Sequence, residues 1–543
     1  MTFIPQEIGG LRHETELLIN QSREGACGVD LPEIENFALR TGQKNRTEIG
    51  LPQVNEPQVI RHFVRLSNQN YSIDAGFYPL GSCTMKHNPR LNEKMARLTG
   101  FADIHPLQDE STTQGALELM FNLQNWLATL TGLGAVSLAP AAGAQGELAG
   151  MLVIRKAHEK NGELATRKIV LIPDSAHGTN PATAAICGFQ IKVIPSDSEG
   201  LIDLNLFKKL IAEHGKSIAG TMITNPNTCG KFEKNIKEIA DLIHSVGAYF
   251  YCDGANYNAI VGKVRPADIG VDVMHFNLHK TFSTPHGGGG PGSGPIAVRA
   301  ELAEFLPTPH VIKENESYKL VSPQNTCGKI KGFHGQFGMH VRALTYMLSH
   351  GSDGLQKVAE DSVLSANYIL AKLKKYYHVP FSGNCMHECL LTDKLQKTKG
   401  LGTLDIAKAL VEYGIHPMTV FFPIVVGWMR ASSRSSRAAS CGASARRRRR
   451  TMPSRAKKRS PRSSAARSKP MRSSPRLPRA LRRQERLRRR ARAPRVRAAG
   501  RAPPRSRAPR SRSRRWRPMG GPSTRSTETT VRTRSPSSRR PFV

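Results

Sequence analysis

Asp253 closes the apolar run Ala248-Tyr-Phe-Tyr-Cys252, and Lys280 follows the next such run 27 positions later, in Asn277-Leu-His-Lys280. A carboxylate at the end of one buried strand with a primary amine after the next is an arrangement that can hold an aldehyde cofactor. The amine would form a Schiff base with pyridoxal phosphate, and the carboxylate would keep the pyridine nitrogen protonated so that the ring withdraws electrons. Taken alone, the pair equally describes an ordinary Asp and Lys at strand ends. Two neighbouring segments add to it. Ala139-Pro-Ala-Ala-Gly-Ala-Gln-Gly-Glu147 is a small-residue turn entering a helix; it either offers backbone N–H groups to a phosphate or packs helix tightly against strand. Pro173-Asp-Ser-Ala-His-Gly-Thr179 follows a strand, so His177 falls at the C-terminal end of a sheet, where open α/β sheets bind ligands. A flat imidazole there can stack on a pyridine ring or serve as a structural residue.

The elements that must position these residues alternate. Short apolar runs at 168–172, 190–194, 219–224, 248–252 and 271–277 are rich in β-branched and aromatic residues, and helical patterns near 145–160, 203–214 and 233–246 separate several of them. This is the βαβ rhythm of a mostly parallel sheet. Ahead of it, Leu117, Met120, Phe121, Gln124, Leu127 and Leu130 keep helical spacing behind Ser111, a candidate N-cap. Residues 1–100 are rich in Asn, Gln and Pro and read as an arm around a neighbour. Residues 101–325 read as the large domain and 326–427 as an incomplete small α+β domain, with a helix near 354–376 and apolar segments at 386–392 and 418–426. Within the Gly/Pro-rich segment 284–295, the run Gly287–Gly294 is either an inert linker or, after Lys280, a mobile active-site loop.

Charge divides the chain in two. The formal net charge of +38 lies wholly beyond Gly427, where 40 of the 80 basic residues meet only Glu485 and Glu528, so the first 427 residues balance to zero. The stretch 428–543 has no Asp, Asn, His, Ile or Tyr and too little apolar content to build a core, so it reads as disordered. Its Arg, Ala, Pro, Ser and Gly are also what GC-rich codons specify out of frame, and the change falls inside an apolar run. The reading is a frameshift near codon 427; a genuine basic tail that binds nucleic acid non-specifically is the alternative. Eight of the nine cysteines lie in the first 427 residues without regular spacing, which suits a reducing compartment. The opening turns polar too early for a cleavable leader, and no apolar run reaches the roughly 20 residues of a spanning helix, so no membrane association is expected. Cys385-Met-His-Glu-Cys389 places three possible zinc ligands on one strand face but lacks a further ligand pair, so no metal site is assigned.

The strings Gly76-Phe-Tyr-Pro-Leu-Gly-Ser-Cys-Thr-Met-Lys86, Ala139–Glu147, Asp174-Ser-Ala-His-Gly-Thr-Asn-Pro-Ala182, Thr224-Asn-Pro-Asn-Thr228, Asp253-Gly-Ala-Asn256 and Asn277-Leu-His-Lys280 closely resemble the P-protein family of the glycine cleavage system, glycine dehydrogenase (decarboxylating). The resemblance runs from about residue 5 to 426, and Ser22-Arg-Glu-Gly-Ala-Cys-Gly-Val-Asp-Leu-Pro32 so near the start is similar to subunit 2 of the bacterial two-subunit form. It implies the fold type I architecture of pyridoxal-phosphate-dependent transferases, with a mostly parallel seven-stranded sheet in the large domain. It also implies a cytoplasmic bacterial enzyme that decarboxylates glycine and passes the aminomethyl group to the lipoyl arm of H-protein, with a subunit 1 partner in a heterotetramer of two pairs. By resemblance, Lys280 is the cofactor lysine, Asp253 the pyridinium partner and His177 the ring-stacking residue. Gly143, Ala144 and Gln145 form the phosphate turn, with His279 beside the phosphate and Ala255 also in the cofactor site, while Tyr78–Lys86 lies at the site's mouth. Another fold type I activity, an aminotransferase or lyase, and an Arg-rich nucleic-acid binder are the alternatives.

Overall fold

A computed structural model describes residues 16–28, 50–70, 87–285, 292–421 and 428–432. The runs that alternate in the sequence become the strands of one sheet: β1 (Ala135–Ser137), β2 (Ile169–Pro173), β3 (Gln190–Ile194), β4 (Ile218–Thr224), β5 (Tyr249–Gly254), β6 (Val273–Phe276) and β7 (Ile296–Val298). Their spatial order is β1-β7-β6-β5-β4-β2-β3, and every pairing from β6 to β3 is parallel, with β7 running against both its neighbours. Helices cover both faces, which is why β2 and β4 are buried along their whole length and read as unbroken apolar runs. Alternate residues of β2 feed different layers, Val170 and Ile172 one and Ile169 and Leu171 the other. At the sheet's edge, β3 leaves Gln190, Lys192 and Val193 exposed.

In chain order the helices are α1 (Glu56–Asn68), α2 (Arg90–Ala96), α3 (Thr99–Ala102), α4 (Gln114–Thr131), α5 (Gly143–Lys160), α6 (Asn180–Ile186), α7 (Leu204–His214), α8 (Ile236–Ser245), α9 (Leu278–Thr281), α10 (Phe337–Leu373), α11 (Lys394–Lys397) and α12 (Thr403–Glu412). Buried residues of α5 and α6 pack on one face of the sheet, and those of α4, α7, α8 and the first half of α10 on the other. α5 lies close because it carries glycine where it meets the strands. A methyl group on Gly150 would come 2.5 Å from the Tyr251 ring, and one on Gly146 2.6 Å from the Gly294 carbonyl oxygen.

Several expectations shift. Ser111 is not the cap of α4: it sits in a short 3-10 turn, its backbone N–H accepted by the Asp109 carboxylate, and α4 starts at Gln114 behind Thr113. The helix expected near 354–376 is the second half of α10, which Gly351 interrupts with a backbone at φ 64, ψ −176. The first half is pinned to α2 by Arg342, whose guanidinium donates to both carboxylate oxygens of Glu93 at 2.8 and 2.9 Å. That hydrogen bonding holds the Glu93 acid below its ordinary range. A hairpin of β8 (His310–Glu314) and β9 (Ser317–Val321) precedes α10.

Beyond α10, β10 (Glu388–Thr392), β11 (Thr419–Phe421) and β12 (Trp428–Ser432) form an antiparallel sheet in the order β10-β12-β11. Its central strand consists of the first five residues past Gly427. Regular structure therefore continues five residues beyond the point where the composition changes.

Candidate active site

The parallel strands β4, β5 and β6 end together and set the site's residues in a row. Thr224 lies in register with Asp253, and Asp253 with His275. The loop after β2 joins them: the backbone N–H of His177 donates to the Thr224 hydroxyl at 2.8 Å. Lys280 stands one residue from the end of the single-turn α9, four positions past β6. The structure thus brings together His177, Asp253 and Lys280, which are far apart in sequence, and the placement at the carboxyl ends of parallel strands is where such sheets bind ligands.

Asp253 is fully buried. One of its oxygens accepts the backbone N–H of Ala255 at 2.8 Å and the other accepts the side-chain amide of Asn180 at 3.0 Å. Behind it, Nε2 of His275 lies 3.6 Å from Oδ1, and the Tyr251 hydroxyl lies 2.6 Å from Nδ1 of the same ring. Burial by itself would raise the Asp253 acid. The field of His275, His177 and Lys280, with the Asn180 hydrogen bond, outweighs it and holds the carboxyl below its ordinary value. Burial favours the neutral ring of His275 and the neutral phenol of Tyr251. The chain of contacts then has one consistent direction: Tyr251 O–H donates to His275, whose Nε2–H faces Asp253.

A second carboxylate, Glu147 on α5, belongs to the same network. It too is buried, and it accepts Thr179 Oγ1 at 2.6 Å, Asn180 Nδ2 at 3.1 Å and Thr183 Oγ1 at 3.1 Å. Asn180 spans the two acids with its two amide protons. Desolvation, reinforced by repulsion from Asp253, pushes the Glu147 acid up to about 7. Two neighbouring acids are therefore driven apart, Asp253 downward and Glu147 up to the neutral range, a division common at functional sites. Among the described residues, Glu147, His177 and Asp253 are the His, Cys and carboxylate groups whose ligand atoms lie within 4.8 Å of one another; hydroxyl and amide donors already meet the oxygens of both acids. Glu147, Asn180 and His275 carry no role in the sequence reading, although all three lie in segments quoted for other reasons. The available signal is a charged residue within the small and apolar buried stripe Gly146–Ile154 of α5.

The turn at 139–147 opens into the uncapped start of α5. No side chain caps α5, whose first residues are Gly143, Ala144 and Gln145, so their backbone N–H groups lie at an uncapped N-terminus of 18 helical residues. The Gln145 side chain is committed to the turn itself: its oxygen accepts the Ala141 N–H at 2.7 Å and its amide donates to the Ile330 carbonyl at 3.2 Å. A methyl group on Gly143 would come 2.2 Å from the Asn277 amide nitrogen, which places this turn against the segment that carries Lys280. Buried His279 accepts the Ser293 N–H at 3.3 Å. Near it in the chain, the hydroxyls of Thr281, Thr284 and Ser293 are buried without a hydrogen-bond partner among the described residues.

Family models match over most of the first 440 residues: glycine cleavage system P-protein over residues 36–317 and glycine dehydrogenase, C-terminal domain, over 358–440. The probable glycine dehydrogenase (decarboxylating) subunit 2 of Caulobacter vibrioides is 54% identical over 426 residues, 77% of this chain and 80% of that protein. This chain belongs to the P-protein family of the glycine cleavage system. The Thermotoga maritima protein of the same description is 49% identical over 75% of this chain and 86% of its own length. Among solved structures, an inhibitor-bound glycine decarboxylase (P-protein) of the glycine cleavage system superposes with a TM-score of 0.56 at 20% identity, covering 75% of this chain and 87% of that one. A Burkholderia pseudomallei sphingosine-1-phosphate lyase superposes with a TM-score of 0.54 at 14% identity, over 73% and 89%. These likenesses establish the fold type I architecture expected from the sequence.

The remaining expectations fall elsewhere. Tyr78–Lys86 and Gly287–Pro291 lie outside the described residues. Cys385 and Cys389 are buried thiols pushed up to about 11 and about 12 by desolvation, the state of inert core cysteines. Among the described residues no helix is long and apolar enough to cross a membrane.

Proposed function

We propose that this chain carries the glycine-decarboxylating chemistry of a two-subunit P-protein, releasing CO2 from glycine and passing the aminomethyl group to the lipoyl arm of H-protein. In this reading it works in the bacterial cytoplasm with a subunit 1 partner, as two pairs of subunits. The observation that carries the proposal is the buried, ionised Asp253 at the end of β5, in register with His275 and within the electrostatic reach of both His177 and Lys280.

The residues present fit pyridoxal phosphate. Lys280 would hold its aldehyde carbon, Asp253 its ring nitrogen and His177 its ring face. The N–H groups of Gly143, Ala144 and Gln145, with His279 and the partnerless hydroxyls of Thr281, Thr284 and Ser293, suit its phosphate. Ala255 contributes through its N–H, which fixes the Asp253 oxygen. When bound, the cofactor accepts the electron pair left as the bond to the substrate carboxylate breaks. The protein's own part is electrostatic and positional: Asp253 keeps a proton on the ring nitrogen because Asn180, Ala255 and His275 keep the carboxylate ionised and oriented, and α5 supplies an anion seat. The test is glycine-dependent release of CO2 by the purified chain with cofactor, lipoylated H-protein and subunit 1. A chain that binds cofactor and processes another amino acid instead would overturn the assignment.

A further inference from the structure

We propose that Glu147 is a positioning residue which, through the Thr179 hydroxyl, decides which nitrogen of the His177 ring carries the proton, and so whether that ring offers a donor or an acceptor. The relay is read from the geometry; its bearing on catalysis rests on the proposed function. The Thr179 oxygen lies 2.6 Å from Glu147 Oε1 and 2.7 Å from His177 Nδ1. A hydroxyl has one proton to place between these two neighbours.

Glu147 Oε2 already accepts from the Asn180 amide and the Thr183 hydroxyl. A proton on Glu147 therefore has room only on Oε1, facing Thr179. With Glu147 protonated, Oε1–H donates to Thr179, Thr179 donates to Nδ1, and the neutral ring carries its proton on Nε2. With Glu147 ionised, the Thr179 proton turns to Oε1, Nδ1–H donates to the Thr179 oxygen, and Nε2 is left as an acceptor. The backbone N–H of Thr179, 3.4 Å from Nδ1, adds weakly to the first state. The titratable groups around Glu147 are Asp253 and Tyr251 on β5 and His177 itself, with His275 on β6 and Lys280 on α9 acting on Asp253. Burial, with the charge of Asp253 behind it and against the hydrogen bonds of Thr179, Asn180 and Thr183, places the Glu147 acid at about 7, so both arrangements are accessible near neutral pH.

The test is nitrogen NMR of the full-length chain labelled at histidine, with the His177 signal assigned by its loss in His177→Gln. In the wild type the His177 tautomer should pass from Nε2–H to Nδ1–H as pH rises through the ionisation of Glu147; the imidazolium, protonated on both nitrogens, is separately recognisable. Glu147→Gln should keep the neutral ring in its Nε2–H form throughout, because its amide oxygen takes the two donors and its NH2 faces Thr179. Thr179→Val should abolish the pH-dependent exchange, and Thr179→Ser should restore it. A wild-type ring that keeps one neutral tautomer across the range, or one whose profile Glu147→Gln and Thr179→Val leave unchanged, overturns the relay. Failure of the loaded enzyme to decarboxylate glycine, with the tautomer exchange intact, overturns the proposed function and leaves the relay standing.

Discussion

At the scale of single residues, the site holds two carboxyl groups a short distance apart whose acids are shifted in opposite directions. Asp253→Asn removes the ionised member, and an amide cannot keep a ring nitrogen protonated. The expected outcome is retained cofactor with decarboxylation reduced by roughly a hundredfold or more, the scale of losing one preorganised electrostatic group. Lys280→Ala should abolish covalent capture of the cofactor, and borohydride reduction of the parent should fix it on the peptide containing Lys280; label on another lysine would remove Lys280 from its role. Glu147 makes a prediction about stability. Its folded acid sits near 7 and its unfolded value near 4.5, so the folded state holds a proton that the unfolded chain releases across that window. Stability is then fully present below about pH 4.5 and falls as pH rises toward 7, by on the order of 3 kcal/mol in all. Asp253 is shifted the other way, from 3.8 downward, so its contribution is lost only at lower pH. Melting curves of the cofactor-free chain should show that slope and lose it in Glu147→Gln; parallel curves would show that Glu147 ionises normally. Asp253, His177 and Lys280 were legible in the sequence because each ends a recognisable run. Glu147, Asn180 and His275 were not, because what makes them part of the site is a hydrogen-bond network spanning α5, α6 and β6, which spacing along one element does not encode.

At the scale of elements, the position of the site depends on how closely α5 approaches the sheet. In an exposed helix Gly→Ala stabilises by about 1 kcal/mol. On α5 the sign should reverse, because a methyl group at Gly146 meets the Gly294 carbonyl oxygen at 2.6 Å and one at Gly150 meets the buried Tyr251 ring at 2.5 Å. Backbone and a packed ring yield only by moving the helix, so each substitution should cost about 1–3 kcal/mol. Gly143→Ala meets instead the movable amide of Asn277, and its cost should be smaller in melting temperature while cofactor affinity still falls. Equal destabilisation at all three positions would show that proximity to backbone is not what matters. The same packing explains what could be read in advance. β2, β4, β5 and β6 announce themselves because strands buried on both faces are continuous apolar runs. β1 and β7 have three residues each, too few to carry a period, and β8 and β9 are half exposed. The first half of α10 was not read from the sequence: the helix expected near 354–376 starts beyond Gly351, where the backbone interrupts the run that begins at Phe337.

For the whole molecule, the question is where the family-like chain stops contributing to the fold. The small sheet places β12, residues 428–432, between β10 and β11, with Arg430 in register with Leu390 on one side and Thr419 on the other. Ending the chain at Gly427 would take away the strand that both neighbours pair with, whereas ending it at Ser432 keeps the sheet whole. The sequence from 433 to 543 is dominated by Arg, Ser, Ala and Pro and offers almost no apolar area to bury, so its own composition adds no core. Limited trypsin digestion should therefore trim the chain from its C-terminus to Arg434 or Arg437 and leave Arg430 uncut, because a residue paired on both sides is not presented to a protease. Mass spectrometry of the trimmed product decides the point: cleavage after Arg430 would show that β12 does not hold, and resistance across 433–543 without nucleic acid would show that the basic tail has a fold of its own. Truncation after Ser432 should leave the melting temperature unchanged and truncation after Gly427 should lower it. If the composition change marks a shift of reading frame, a chain continued in the alternative frame should melt above all of these, since it restores apolar segments able to cover the small domain. A restored chain no more stable than the one described would locate the boundary of the functional protein at β12 itself.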